Sequence, residues 1–129
     1  MLNDSLANAL STILNYEKNG KKEVTINPVS KTITKILMLM NEEGYVGSYE
    51  ILSKGKGGLL KLNLLGRVND CGVIKPRFAI KKTEFQRFEK RFLPARNIGI
   101  MIISTPQGIM THTEAKKKGH GGKLLAYIY

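Results

Sequence analysis

The chain has 129 residues, 42% of them hydrophobic, and its 21 Lys and Arg against 10 Asp and Glu give a formal net charge of +11. That is enough apolar side chain for one compact unit or two small lobes, and no run of about 18 uncharged apolar residues exists to span a membrane. One cysteine, Cys71, cannot form an internal disulfide, and the opening MLNDSLANALSTILNYEK has no basic leader, so a cytoplasmic setting is expected.

Residues 3–18 are expected to be helical, because Leu6, Ala9, Leu10, Ile13 and Leu14 recur at three- and four-residue spacing and make one apolar stripe. Asn3 or Asp4 can cap its start, and Gly20 can close its end in a left-handed conformation. KEVTI (22–26) alternates and is β-branched, which predicts a short strand ended by Pro28. Ser30 is the expected cap of a second helix over 31–42, with Ile33, Ile36, Leu37 and Met40 inside and Gly44 closing it. YVGSYEIL (45–52) and LLKLNLL (59–65) flank the glycine-rich SKGKGG as a hairpin. Two helices on one face of a small sheet would bury these stripes.

GRVNDCGVIKP (66–76) clusters glycine, Asn-Asp and proline, and marks a change of lobe. The expected division is an N-terminal α/β lobe over 1–66 and a β-rich lobe with short helices over 67–129, an α+β fold overall. In the second lobe a short strand is expected at 77–80. A helix over 83–92 shows capping-box spacing, Thr83 with Gln86, and carries Phe85, Phe88 and Phe92 on one face. Aromatic rings can stack on bases, but helical spacing assigns these three to core packing. NIGIMIIS (97–104) is the most strand-like run. STPQGIMTH follows it with the composition of a tight turn between strands. HTEAKKKG offers a short helix capped by Thr113 or His112, and GGKLLAYIY a final strand.

The charge is uneven: nine basic and seven acidic residues through residue 70, twelve and three from residue 71 onward. Lys and Arg clustered in this way release counterions from a phosphate backbone, which favours nucleic acid as the partner. An anionic membrane is a weaker rival, because the basic residues do not line one face of a long amphipathic helix.

Catalytic readings are poorly supplied. GHGGK (119–123) is glycine-rich, but Leu124 follows Lys123 where a nucleotide loop needs a magnesium-binding hydroxyl, and the loop enters a strand rather than a helix. His112, His120 and Cys71 lack metal-ligand spacing, and no cofactor is expected. A hydrolase using Ser104 or Thr105 with His112 needs a base held by a third group, and only Glu84, Glu89 and Glu114 are on offer in that half. Binding fits better. Ser104, Thr105 and Gln107 supply donors and acceptors, Gly108 permits close approach or positive φ, Met110 offers an apolar face, and Lys116, Lys117 and Lys118 attract phosphate.

The motifs also run in an order that resembles a known family. DSLANALSTILN, PVSKTITKILMLMNEEGYVG, VNDCGVIKPRF and FEKRFLPARNIGIMIIST lead to Ser104-Thr105-x-x-Gly108-Ile109-Met110-Thr111, then Glu114-Ala115-Lys116 and Gly119-x-Gly121-Gly122. Along nearly its whole length the chain resembles ribosomal protein eight of the small subunit, in its archaeal and eukaryotic branch. The resemblance implies a non-enzymatic protein that binds the central domain of small-subunit ribosomal RNA, supports its assembly and touches neighbouring ribosomal proteins. It also implies a regulatory alternative, binding of the protein's own mRNA. The implied RNA contacts are Ser104, Thr105, Gly108, Met110 and the Gly121-Gly122 turn, with phosphate contacts near Ser30 and Lys31. Two departures matter: Pro106 and Gln107 stand where bacterial relatives have a third hydroxyl and a base, and Lys123 replaces a common acidic residue, adding attraction for RNA.

Overall fold

A computed structural model describes residues 5–26, 31–53, 59–75, 77–81, 83–95 and 98–129. The chain divides into two units, Met1–Asp70 and Cys71–Tyr129, and both are α+β. The expected caps Asn3, Asp4 and Ser30, the strand-ending Pro28 and the loop 54–58 lie outside the described residues.

In the first unit, Ser5–Lys18 form helix α1. Its stripe is buried at Leu6, Ala9, Leu10 and Ile13, each Leu or Ile side chain contributing about 1.5–3 kcal/mol when fully removed from water. The helix closes at Gly20, whose φ is +72°, with the Lys21 N–H donating to the Tyr16 carbonyl at 2.9 Å. Strand β1 (Glu23–Ile26) and helix α2 (Lys31–Glu42) follow. All four expected inner residues of α2 are buried, and Leu39 joins them. Gly44 ends α2 in the same left-handed way, at φ +81°. Strands β2 (Val46–Ser53) and β3 (Leu59–Leu64) complete an antiparallel sheet of order β1-β3-β2. The alternation in β3 buries Leu60, Leu62 and Leu64, and its register sets Leu62 against Val24 and Leu60 against Ile26. One face of the sheet is therefore apolar. Glu17, near the end of α1, accepts the backbone N–H groups of Gly66 (3.1 Å) and Val68 (3.0 Å) and pins the segment that leaves β3.

The second unit contains β4 (Cys71–Val73), β5 (Ala79–Ile80), α3 (Phe85–Phe92), β6 (Ile100–Thr105), β7 (Gly108–Thr111), α4 (His112–Lys118) and β8 (Gly122–Ile128). Every pairing is antiparallel. The order is β4-β8-β6-β7, and β5 pairs with β8 on the edge that β4 also uses. β4 is a strand within the segment expected to be only a lobe change. Three residues flanked by turn formers carry no periodic signal, and β8 supplies the pairing: Cys71 meets Ile128 and Val73 meets Ala126.

β6 starts later than the apolar run suggested. Gly99 has φ +87°, and a Cβ there would lie 2.8 Å from both the Ile128 carbonyl oxygen and the Tyr129 Cβ. The chain bends at this crowded point, and regular pairing begins at Ile100. The expected cap at Thr83 is also corrected. α3 begins at Phe85, its N-cap is Glu84, and no side-chain capping bond forms. The Glu84 carboxylate instead accepts the Lys81 N–H at 3.0 Å.

Phe85 and Phe88 are buried with Ile74, Ile80, Leu93, Met101, Ile103, Met110, Ala115 and Leu124, and half-buried Phe92 packs against that cluster. The three phenylalanines are core, as their spacing predicted. Arg87 lies over the ring of Phe88, 5.2 Å from its centroid, and Arg91 over that of Phe92 at 5.3 Å, so the helix covers its aromatics with its own cations.

Candidate nucleic-acid interface

The hairpin of β6 and β7 turns at Pro106-Gln107, with Thr105 opposite Gly108. Thr105 is buried, and its hydroxyl is already used: it donates to the Gly108 carbonyl at 2.8 Å and accepts the Gln107 N–H at 3.1 Å. This hydroxyl builds the turn rather than presenting itself outward. Ser104, Pro106, Gln107 and Gly108 are exposed. Gly108 has φ +119°, and a Cβ there would meet nothing within 4 Å. Its backbone faces open space, where another molecule can approach.

β8 reaches the same tip. Ser104 pairs with Lys123, and directly opposed residues project from one face. The side chains of Ser104 and Lys123 thus leave the sheet side by side. The pairing depends on Gly122, because a Cβ at that position would sit 2.2 Å from the Ser104 carbonyl oxygen. Gly122 lets two backbones touch. Met110 is placed differently from its sequence reading. It is 4% exposed, in the core and opposite Ile103, so it supports the strand beneath the tip instead of offering an apolar face.

α4 follows β7 directly. Its N-cap is Thr111, not Thr113 or His112: the Thr111 hydroxyl accepts the Glu114 N–H at 3.3 Å. Such a cap contributes about 1 kcal/mol. Lys116, Lys117 and Lys118 occupy the last turn, where cations oppose the helix dipole. The three lysines are not equivalent. Lys116 is held by Glu89 of α3. Lys118 pairs with Glu114 at 3.1 Å. Among the described residues Lys117 and Lys123 have no ion-pair partner and are exposed.

His112 is buried where α3, α4 and β6 meet. Its Nδ1 accepts the Met101 N–H at 3.0 Å, and its Nε2 lies 3.2 Å from Glu89 Oε1. The proton therefore belongs on Nε2. Both nitrogens are committed, and neither serves Ser104 or Thr105, so this imidazole cannot act as base for a hydroxyl nucleophile. Burial holds the His112 pKa below the usual histidine value, with Glu89 pulling it up and Lys116 pushing it further down. Below about pH 6.5 the unfolded chain takes up a proton that the folded one resists, so stability is full above that pH and declines as pH falls. The melting temperature is expected to drop between pH 7 and pH 5, and His112→Gln to remove that part of the drop. A variant with an unchanged pH profile, measured by calorimetry, would contradict this role.

In the first unit, Lys31 is exposed at the first turn of α2, while its companion Ser30 lies outside the described residues. Glu89 and His112 were not recognised as a structural pair from sequence, because residues 23 positions apart give no local signal. Among the described residues no cluster of His, Cys, Asp or Glu is fit to hold a metal ion, and no helix is long and apolar enough to cross a membrane. Compared with known families, residues 4–129 match the model of ribosomal protein S8.

Proposed function

Since the chain belongs to the ribosomal protein S8 family, a family of non-enzymatic small-subunit proteins that bind ribosomal RNA, we propose that it binds the central domain of that RNA and supports its assembly. We assign the contact in the second unit to Ser104, Gln107, Gly108, Lys117, Lys123 and the Gly121-Gly122 turn. Lys31, with Ser30, adds phosphate contacts from the first unit. The order of motifs favours the archaeal and eukaryotic branch of the family.

One observation carries the reading: a tip with exposed Ser104, Gln107 and open Gly108 stands beside Lys123 on the paired strand. Irregular RNA helices display 2′-hydroxyls and base edges in a wide, shallow minor groove. Small hydroxyl and amide groups reach those edges, and lysines to the side meet phosphate without regard to sequence. Thr105 contributes by shaping the turn, and Met110 by supporting it. Pro106 fixes its own φ and stiffens the tip.

The test is titration of a central-domain RNA fragment with the wild type and with Ser104→Ala/Gln107→Ala. Loss of two hydrogen bonds of about 0.5–1.5 kcal/mol each weakens specific binding about 5- to 150-fold, with the melting temperature preserved. Equal affinity at fixed salt would remove the tip from the interface. Competition between this fragment and the protein's own mRNA tests the autogenous reading on the same surface.

A further inference from the structure

The KKK run on α4 reads as three equivalent phosphate ligands, and the geometry around it does not. Glu89 projects from α3 with its side chain only 14% exposed. Its Oε1 atom meets both His112 Nε2 and Lys116 Nζ, and His112 and Lys116 lie one helical turn apart on α4. A carboxylate this poorly solvated is screened little by salt and holds an ammonium more firmly than an exposed partner does. The neighbouring pair is the contrast: Glu114 and Lys118 have side chains 45% and 51% exposed. Exposed pairs of that kind contribute about 0–1 kcal/mol and yield readily to competing phosphate.

We propose that Glu89 is a positioning residue of the RNA interface: it keeps Lys116 bound to α3 and so withholds that cation from the phosphate backbone, leaving Lys117 as the lysine of this turn that meets phosphate without displacing a carboxylate. This rests on the RNA-binding reading above. The consequence is a counterion number smaller than the lysine count. A protein releases roughly 0.7 to 0.9 counterions for each phosphate it neutralises, so the slope of log affinity against log salt counts the lysines in use. A purely structural role for Glu89 would change stability and leave that count alone.

The experiment measures this slope for a central-domain RNA fragment with the wild type, Lys116→Gln, Lys117→Gln, Glu89→Gln and Glu89→Gln/Lys116→Gln. Glutamine at 89 can still accept from His112 but no longer holds Lys116 by charge. Lys117→Gln should lower the slope by about 0.7 to 0.9, Lys116→Gln should leave it unchanged, and Glu89→Gln should raise it by the same amount. The double variant should return to the wild-type slope. Equal losses for Lys116→Gln and Lys117→Gln would overturn the proposal, as would a Glu89→Gln gain that persists without Lys116. Should Glu89→Gln fail to fold, the two single lysine variants decide alone. No salt-dependent binding by the wild type would instead refute the RNA reading on which the proposal stands.

Discussion

Gly122→Ala is expected to destabilise the second unit by about 3 kcal/mol, the upper range for forcing extra atoms into a packed site. The added Cβ would lie 2.2 Å from the Ser104 carbonyl oxygen, 2.9 Å from the Ser104 carbonyl carbon and 3.0 Å from Ile103 Cγ2. Two of these neighbours are backbone atoms in the middle of a paired strand and have no rotamer to escape into. Relief therefore requires β8 to move away from β6 at its first residues. That movement breaks the pairing of Ser104 with Lys123 and also of Ile80 with Gly122, because β5 uses the same stretch of β8. For a domain of this size about 1 kcal/mol corresponds to a 4–8 °C shift, so calorimetry should show a melting temperature lower by about 12–24 °C. RNA affinity should fall with it, since the tip loses its neighbour. Gly108→Ala is the comparison. Nothing lies within 4 Å of its added Cβ, and only the φ of +119° is strained, so the melting temperature should change less. A Gly122→Ala protein that melts like the wild type would mean the two strands do not approach as closely as described.

How much of this could be read from the residues depends on the range of the interaction. α1, α2 and β3 were legible because burial at a period of three to four, or of two, is written locally in Leu6-Ala9-Leu10-Ile13, in Ile33-Ile36-Leu37-Met40 and in Leu60-Leu62-Leu64. The phenylalanines of α3 declared themselves as core by the same spacing. Local patterns failed where a distant partner decides. Gly122 was read as half of a glycine turn entering the last strand, and its constraint comes from Ser104 on another strand. β4 has too few residues for a pattern, and β8 defines it.

Capping shows both kinds of error. Thr83 and Gln86 have capping-box spacing, yet the first turn begins at Phe85. Thr111 and Glu114 have the same spacing and do form the cap, but Thr111 also closes β7, which hid it behind a strand. At the candidate site, sequence order pointed to the hairpin tip and the lysines, and the structure separates residues that chemistry by type treats alike. Thr105 satisfies its hydroxyl within the turn, Met110 is core, and Lys116 is held by Glu89. A residue's capacity to donate or accept is printed in the sequence, whereas its commitment to a neighbour is not.

The same distinction sets the expected result for Lys117 and Lys123. Lys117 and Lys123 are exposed and, among the described residues, have no ion-pair partner, so each can meet phosphate without first surrendering a carboxylate. Replacing both by glutamine should remove two neutralised phosphates and lower the salt slope by roughly 1.4 to 1.8. Near 0.1 M salt that slope change corresponds to an affinity loss of roughly 30-fold. The loss should be nearly uniform across RNA sequences, because phosphate contacts carry no base information. Ser104→Ala/Gln107→Ala should behave oppositely, reducing preference for the central-domain fragment while keeping the slope. Lys118→Gln should cost less than either Lys117 or Lys123, since part of the Lys118 charge is already committed to Glu114. A filter-binding series from low to high salt separates these outcomes. If the double lysine variant kept the wild-type slope, Lys117 and Lys123 would not meet phosphate, and the contact assigned to them would fall.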